Sequence, residues 1–280
     1  MRTKTTSYED ALRAAREAGD GLVLAERDGA HAIVTMNEPD RLNPLSAPLT
    51  VKLHDTLREL AADPAVRAIV LTGTDPAFCA GGDLRLMQDT AHPMVDEGDE
   101  GATGAWRWIR NEFGGIARLI TRTDKAFVAA VNGAAAGVGL AFALACDMII
   151  VSERAKLVPA FGRVGLVPEV GTGWALTRRL GYQRTFELFA AGRHLSGAEA
   201  AEAGIANHVV EHERLLPTSL EWCERIEELP SHVLSMMKPL LRGTADMTWE
   251  QAITMEEFAE PMCFTTRAHR DAVESLLAAG

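Results

Sequence analysis

The sequence predicts an α/β fold in which strands alternate with helices first and a helical region follows. Three apolar runs have the pattern of buried strands: Ala68–Thr72, Phe127–Val131 and Met148–Ser152. Segments with a helical spacing of apolar residues separate them, and from about Gly171 onward the patterns are helical. No internal repeat or low-complexity linker interrupts the chain, which favours one folding unit.

Composition excludes several classes of protein. The 280 residues are 47 % hydrophobic and 24 % charged, which is typical of a globular protein and not of a disordered chain, a collagen or a coiled coil. The longest apolar runs, such as Ala126–Val131 and Gly139–Cys146, are far shorter than the roughly 20 residues that span a bilayer. Met1–Asp20 has no apolar core, so we expect no secretory signal.

Charge and cysteine usage restrict the partners. Lys and Arg number 28 against 39 Asp and Glu, and the net charge of −11 argues against general nucleic-acid binding. An anionic small ligand held by local cations and backbone amides remains compatible with this charge. The cysteines are widely spaced without a CxxC pair, which disfavours a zinc site or a disulfide framework and predicts a reducing, cytoplasmic location. They are Cys79, Cys146, Cys223 and Cys263.

Local patterns predict the elements of the first half. Ser46 is a candidate cap for a helix running to about Ala62, because leucines recur there on one face. The polar, acidic segment Asp89–Gly104 has no apolar period, and we expect it to be mobile and to close over a ligand. The other predicted elements are a helix over Tyr8–Ala18, strands over Leu22–Glu26 and Ala30–Met36, and a core-facing stripe of Trp106, Ile109, Phe113, Ile116 and Ile120 at helical spacing.

Helices account for most of the second half. After the glycine-rich stretch Gly133–Gly139, an apolar helix is predicted over Leu140–Cys146. The later predicted helices are Gly171–Leu180, Arg184–Ala191, Ala198–Ala203, Arg214–Leu229, Ser231–Arg242 and one near Thr265–Leu277.

Two strand–glycine–helix junctions are the best candidates for chemistry. They lie in Ala68–Met87 and Phe127–Asp147, whereas phosphate-binding, dinucleotide-binding and nucleophile-elbow motifs are absent. Small residues let a ligand approach the backbone, and free amides at a helix start attract negative charge. Two such junctions facing one point would form an oxyanion hole, although glycine at a single junction is usually only a turn.

Taken together and in order, five segments resemble the crotonase family, also called the enoyl-CoA hydratase/isomerase superfamily. The resemblance runs from about Ala30 to Leu277 and implies a crotonase-like ββα spiral core over 21–210. It also implies a C-terminal helical trimerisation region over 211–280 and a homotrimer or a hexameric dimer of trimers. The Ala-, Glu- and Arg-rich start of the chain separately predicts an N-terminal helical extension over 1–20. The segments are Met36–Ser46, Ala77–Leu84, Lys125–Asp147, Ala155–Gly181 and Leu195–Val210.

The resemblance implies an acyl-CoA thioester as ligand. Its oxygen would be held by the N–H groups of Gly82 and Val138, where many members have glycine instead of Val138. Any residue except proline supplies this N–H, so the valine crowds the site without removing the donor. The resemblance gives Asp83 a structural role as a helix cap, and it implies no metal and no cofactor besides coenzyme A as part of the substrate.

The acid–base residues depart from the hydratases of this family. The two hydratase glutamates fall at Ala141 and near Phe161, and neither residue can move a proton. A carboxylate stands instead at Glu169, in a region most similar to the ring-epoxide (1,2-epoxyphenylacetyl-CoA) isomerase branch, which usually has Asp there. One carboxylate can remove a proton and return it two carbons away, and we expect desolvation to raise its pKa. The competing interpretation is that Glu169 caps the Gly171–Leu180 helix.

Further substrate contacts follow from the resemblance. Arg41 and Arg85 are candidates for the coenzyme A phosphates, together with Lys125. The acyl pocket is predicted to include Trp106, Phe113 and Phe161, with Leu86 and Ile109. Loop residues expected at the ligand are Pro44, Ala80, Gly81, Leu84 and Gly137. Isomerisation is favoured, and hydration with one carboxylate, thioester hydrolysis and non-catalytic acyl-CoA binding remain alternatives.

Overall fold

A computed structural model describes residues 8–88 and 99–279, and it has the predicted order of alternating strands and helices followed by helices. The helices are α1 (Tyr8–Glu17), α2 (Ala47–Ala62), α3 (84–88), α4 (Asp99–Trp108), α5 (Gly114–Arg122), α6 (Val138–Ala145), α7 (Thr172–Leu180), α8 (Tyr182–Ala191), α9 (Gly197–Glu202), α10 (Leu215–Glu227), α11 (Ser231–Thr244), α12 (Trp249–Phe264) and α13 (Arg267–Ala279). A π-helical segment, Ile109–Phe113, joins α4 to α5.

Strands form a six-stranded sheet, a four-stranded sheet and a two-stranded pair. The strands are β1 (Val23–Asp28), β2 (His31–Met36), β3 (Pro44–Leu45), β4 (Ala68–Gly73), β5 (Ala77–Cys79), β6 (Gly81–Gly82), β7 (Ala126–Val131), β8 (Ala134–Ala136), β9 (Met148–Ser152), β10 (Lys156–Val158), β11 (Leu195–Ser196) and β12 (His208–Val210). The large sheet has the order β1-β2-β4-β7-β9-β12 and is parallel from β2 onward. The small sheet has the order β11-β10-β8-β5, and β3 pairs with β6.

The chain repeats one path between the two sheets. β4, β7 and β9 of the large sheet lead directly into β5, β8 and β10 of the small sheet. Because β5 and β8 are parallel neighbours, the segments that follow them leave the small sheet at the same edge. This repeat is the spiral core that the resemblance implies, and it places the two glycine junctions side by side.

The large sheet is buried on both faces, as is usual for parallel strands. Along β4, Ile69 and Leu71 belong to the main core, whereas Ala68 and Val70 face the other way. That second face is covered by α10, whose Cys223 is fully buried there. Side chains alternate with a period of two along each strand, so these continuous apolar runs serve two cores at once.

Several element boundaries differ from the sequence predictions. Helix α4 begins at Asp99, inside the segment Asp89–Gly104 that was predicted to be mobile, and residues 89–98 of that segment lie outside the described residues. Helix α12 has no counterpart in the prediction, because its large apolar residues are exposed and do not form one buried stripe. Helix α6 starts at Val138, two residues earlier than predicted. The predicted cap is confirmed, since Ser46 Oγ accepts the N–H of Leu49 at 3.3 Å.

At the N-terminal end, α1 packs on α2 through Leu12, Ala15 and Val51. Helical membrane spans are not found: within 8–88 and 99–279, every helix is too short or too polar to cross a bilayer.

Candidate active site

The two glycine junctions are in contact. An added Cβ at Gly81 would lie 2.7 Å from the carbonyl oxygen of Ala136, and one at Gly139 would lie 2.6 Å from Cβ of Cys79. Gly81 also has φ of +88°, a conformation that other residues rarely adopt. Glycine at these positions therefore allows the segment after β5 to touch the segment after β8.

The predicted amide donors lie on either side of this contact. Gly82 belongs to β6, which pairs with β3 so that Gly82 faces Leu45 and Gly81 faces Pro44. Val138 is the first residue of α6, so its N–H has no acceptor within the helix. Gly137, the residue before it, has φ of +52°, which turns the chain from β8 into α6.

Asp83 is held by Arg41 and by the start of α3. Its carboxylate accepts the N–H of Arg85 at 3.0 Å, as expected for a helix cap, and accepts Nη2 of Arg41 at 2.7 and 2.8 Å. Burial opposes ionisation of Asp83, but these hydrogen bonds outweigh burial and lower its pKa. Arg41 also donates to Glu38 at 2.7 Å, so two carboxylates hold it. Contact of Arg41 or the exposed Arg85 with coenzyme A stays a prediction.

Glu169 lies in the tight turn that leads into α7. Its carbonyl oxygen accepts the N–H of Thr172 at 3.0 Å and Oγ1 of the same residue at 2.8 Å. Between Glu169 and Thr172, Val170 has φ of +54° and Gly171 has φ of +83°. A left-handed conformation is a genuine outlier for a β-branched residue such as valine. The turn stores strain directly after Glu169, and such strain clusters at functional sites.

The carboxylate of Glu169 is half-buried. Burial raises its pKa, and within the part of the chain that the structure describes no cation or hydrogen-bond donor contacts it. The competing role as a cap is not seen, because α7 has Gly171 at its start and no side-chain cap. A raised pKa brings a carboxylate closer to the range in which it can both take up and release a proton during catalysis.

Residues without acid–base capacity occupy the positions where the resemblance predicts the two hydratase glutamates. Ala141 is buried on α6, one turn after Val138. Phe161 is buried against Phe189, with ring centroids 6.2 Å apart, and its ring edge lies 3.9 Å from where a Cβ on Gly137 would be. The nearby Cys79 is fully buried, and burial raises the pKa of its thiol to about 12, which makes it a poor nucleophile.

A cavity of about 430 Å³ lies between α5, α6 and α7, within the size range of small-molecule sites. Val170, Gly171 and Trp174 line it on the side of Glu169. The polar lining residues are Arg118, Thr121 and Arg242. Small and aliphatic residues complete it: Gly114, Ala117, Ala141, Leu144, Ala145 and Ala175.

The residues predicted for the acyl pocket lie elsewhere than this cavity. Trp106 is 57 % exposed and has the Arg110 guanidinium over its ring at 5.2 Å. Phe113 is buried edge-on to Trp108, with centroids 6.1 Å apart. Among the loop residues, Leu84 is exposed, and Ala80 donates its N–H to the carbonyl oxygen of Leu42 at 2.9 Å. Contact of these residues with an acyl group stays a prediction.

Sequence reasoning missed the two cavity arginines. Arg118 and Arg242 are far apart in the chain and carry no motif, so only the packing of α11 on α6 brings them to one cavity. No cluster of His, Cys, Asp or Glu with the geometry of a metal site occurs among residues 8–88 and 99–279.

Comparison with known proteins gives a consistent family assignment. The family profile described as enoyl-CoA hydratase/isomerase matches residues 26–278. A Rhizobium meliloti (strain 1021) protein, named as a probable enoyl-CoA hydratase, is 32 % identical over 91 % of this chain and 95 % of its own length. The 1,2-epoxyphenylacetyl-CoA isomerase of Escherichia coli (strain K12) is 29 % identical over the same shares, 91 % and 95 %.

Solved structures agree with the sequence comparisons. The crystal structure of an enoyl-CoA hydratase/isomerase from Cupriavidus metallidurans CH34 superposes with a TM-score of 0.84 at 28 % identity. The superposition covers 92 % of this chain and 94 % of that one.

Proposed function

Since the chain belongs to the enoyl-CoA hydratase/isomerase family and processes acyl-CoA thioesters, we propose that its reaction is an isomerisation. Glu169 would act as the single acid and base in a double-bond or ring isomerisation. The observation that carries this proposal is the half-buried carboxylate of Glu169, which has no partner among the described residues and has a raised pKa. Its position in a strained turn beside a cavity supports the same role.

Proton transfer and charge stabilisation fall to different groups in the proposed mechanism. The ionised carboxylate of Glu169 takes a proton from carbon, and the bonding electrons move onto the thioester oxygen to form an enolate. The N–H groups of Gly82 and Val138 donate to this oxygen as charge develops on it. Glu169 then returns the proton at another carbon, so that atoms and charge balance without added water.

Hydration fits these residues less well than isomerisation does. Adding water needs a group that removes a proton from it, and Ala141 and Phe161 carry no such group at the two hydratase positions. The same absence supports the alternative of a non-catalytic acyl-CoA binder. That alternative leaves the strained turn and the desolvated carboxylate of Glu169 without a role.

Proton exchange into the acyl chain tests the proposal directly. The wild-type protein and Glu169→Gln would be incubated in heavy water with 2-enoyl- and 3-enoyl-CoA thioesters, and products read by mass. We expect the wild type to incorporate deuterium and to shift the double bond without adding water. Glu169→Gln should lower the exchange rate by about 10²–10⁴-fold, the usual contribution of a general acid–base residue.

Glu187→Gln is the matched control, because Glu187 is an exposed glutamate on α8 away from the junctions. It should exchange like the wild type. Net addition of water would replace the isomerase proposal with a hydratase. Tight binding of the thioesters without exchange by any of the proteins would replace it with a binder.

Assembly, cofactor use and location are part of the same proposal. A homotrimer, or a dimer of trimers, would cover the large apolar side chains exposed on α12 and α13, such as Phe258, Leu276 and Leu277. A monomeric mass in solution would contradict this assembly.

No cofactor is needed beyond the coenzyme A of the substrate. The free cysteines Cys79, Cys146, Cys223 and Cys263 support a reducing, cytoplasmic location.

A further inference from the structure

The cavity beside Glu169 has an unusual polarity for an acyl-binding site. Its lining contains two guanidinium groups, Arg118 and Arg242, and no acidic residue. The rest of the lining consists of small and apolar residues with Thr121. A pocket for a plain hydrocarbon chain needs no cation, whereas guanidinium groups in a pocket lining suit a ligand that carries a carboxylate or phosphate.

Arg118 is held in place at the cavity wall. Its Nη1 donates to the carbonyl oxygen of Arg110, in the π-helical segment, at 2.8 Å. The guanidinium lies against Gly114, where an added Cβ would be 2.9 Å from Nη1. No carboxylate pairs with Arg118 in the described part of the chain. Its charge is therefore positioned at the cavity and is not neutralised there.

Arg242 is only partly satisfied by its neighbours. Its Nη2 donates to the carbonyl oxygen of Ala145 at 2.6 Å and to Asp147 at 2.7 Å. Asp147 also pairs with Lys238 at 2.8 Å, so one carboxylate serves two cations. Nε of Arg242 is buried without a hydrogen-bond partner within the described residues. Arg179 adds a third positive charge nearby, close enough to interact with Arg242.

The cavity lies where an acyl chain would extend if its thioester were held at Val138. Ala141 and Ala145 lie three and seven residues after Val138 on α6, and at 1.5 Å per residue they are about 5 and 10 Å along the helix. Glu169 immediately precedes the lining residues Val170 and Gly171. Helix α6 contacts β6, with its Gly82, and also α5 and α7, which line the cavity. A chain held by the proposed amides would thus pass Glu169 and end at the arginines.

We propose that this cavity receives the far end of the acyl group and that Arg118 and Arg242 select acyl groups that end in a carboxylate. The substrate class is then the CoA thioesters of dicarboxylic acids. Ala141 fits this assignment, because a glutamate at that lining position would repel the carboxylate. The inference rests on the proposed function in one respect only, namely that the thioester lies at Gly82 and Val138.

Binding of unreactive thioesters tests this inference independently of turnover. Hexanoyl-CoA and hexanedioyl-CoA differ only in the terminal carboxylate, and their dissociation constants would be measured by calorimetry for the wild type and Arg118→Gln. We expect the wild type to bind hexanedioyl-CoA more tightly. Arg118→Gln should weaken binding of hexanedioyl-CoA by roughly 10- to 100-fold, as for a lost charge-assisted hydrogen bond, and leave hexanoyl-CoA almost unchanged.

Arg122→Gln is the matched control, since Arg122 is an exposed arginine on the same helix and does not line the cavity. It should preserve the preference for hexanedioyl-CoA. Equal affinity of the wild type for the two thioesters would overturn the proposal.

A third arm identifies the source of the anion. The same cavity charges could hold a phosphate of coenzyme A, so hexanoyl-3′-dephospho-CoA would be measured alongside. If Arg118→Gln weakens both full-length thioesters equally and the dephospho compound is insensitive to it, the arginine binds the nucleotide and the acyl assignment is wrong. Failure of deuterium exchange with intact selectivity for hexanedioyl-CoA would contradict the isomerase proposal alone.

Discussion

Asp83 lies in the first glycine junction and Glu169 lies in the turn before α7, and the surroundings of these two carboxylates are opposite. Asp83 accepts hydrogen bonds from Arg41 and from the start of α3, and these lower its pKa despite burial. Among residues 8–88 and 99–279, no such donor reaches the half-buried Glu169, and burial raises its pKa. Whether a buried carboxylate accepts hydrogen bonds therefore decides its role. A carboxylate with donors stabilises the local structure, and a carboxylate without donors is available for proton transfer.

The backbone around Asp83 and around Glu169 agrees with these two different roles. Asp83 follows the two-residue strand β6 and fixes the first turn of α3 to Arg41. Glu169 is followed by Val170 in a left-handed conformation, which costs backbone free energy that a purely structural loop would have no reason to keep. Three changes test the comparison, from the largest expected effect to the smallest.

A large loss of activity, of the same order as that of Glu169→Gln, should come from removing a backbone donor, because neither carboxylate is proposed to stabilise the enolate oxygen. Val138→Pro deletes the N–H at the first position of α6, where proline is tolerated by a helix. We expect kcat for the isomerisation to fall by about 10²–10³-fold, as for loss of one oxyanion-hole donor. Steady-state kinetics and deuterium exchange would measure it.

Val138→Ala is the control for this change, because it keeps the N–H and removes two methyl groups. It should retain activity close to the wild type. An equal loss in Val138→Ala and Val138→Pro would mean that the side chain matters and that the N–H does not. A wild-type rate in a folded Val138→Pro protein would move the oxyanion hole elsewhere.

A smaller effect is expected from Asp83→Asn, which keeps a capping oxygen and removes the charge that pairs with Arg41. The free energy of unfolding at neutral pH should fall by about 1.5–3 kcal/mol, the scale of a hydrogen bond to a charged group. A lowered pKa means that ionised Asp83 stabilises the fold above the ordinary pKa of 3.8, and that this stabilisation is lost as the pH falls through the lowered value. Denaturant titrations at several pH values would measure the difference.

Asp40→Asn is the matched control, because Asp40 is exposed next to Arg41 in the Pro39–Arg41 turn. It should change stability little at any pH. A stability loss in Asp83→Asn that persists unchanged at acidic pH would show that the charge of Asp83 is not what stabilises α3.

Local chemistry made much of the fold predictable, and long-range packing explains what was missed. The Ser46 cap, the buried strands and the glycine junctions depend on neighbouring residues, and they lie where the patterns indicate. The pair of Asp83 with Arg41 and the convergence of Arg118 with Arg242 depend on the closed tertiary structure. The apolar residues of α12, such as Phe258, are exposed in the single chain and give no buried stripe to detect.

The smallest expected effect is a gain in stability. Because burial raises the pKa of Glu169, ionising it in the folded protein is less favourable than in the unfolded chain, so stability falls as the pH rises from the ordinary value of 4.5 through the raised one. Glu169→Gln removes this penalty. Its free energy of unfolding at neutral pH should exceed that of the wild type by up to about 1 kcal/mol, the scale of a typical substitution, and the gain should vanish below the ordinary pKa.

Denaturant titrations from acidic to neutral pH would measure this gain, with Glu187→Gln as a control in which no pH-dependent difference is expected. A protein that becomes more stable as it loses activity is the usual sign of a catalytic group kept at a cost to the fold. A decrease in the free energy of unfolding on Glu169→Gln would contradict the contrast with Asp83. If Glu169→Gln is less stable than the wild type at neutral pH, the ionised carboxylate is stabilised by a partner in the folded protein. Glu169 would then belong with Asp83 among the structural carboxylates.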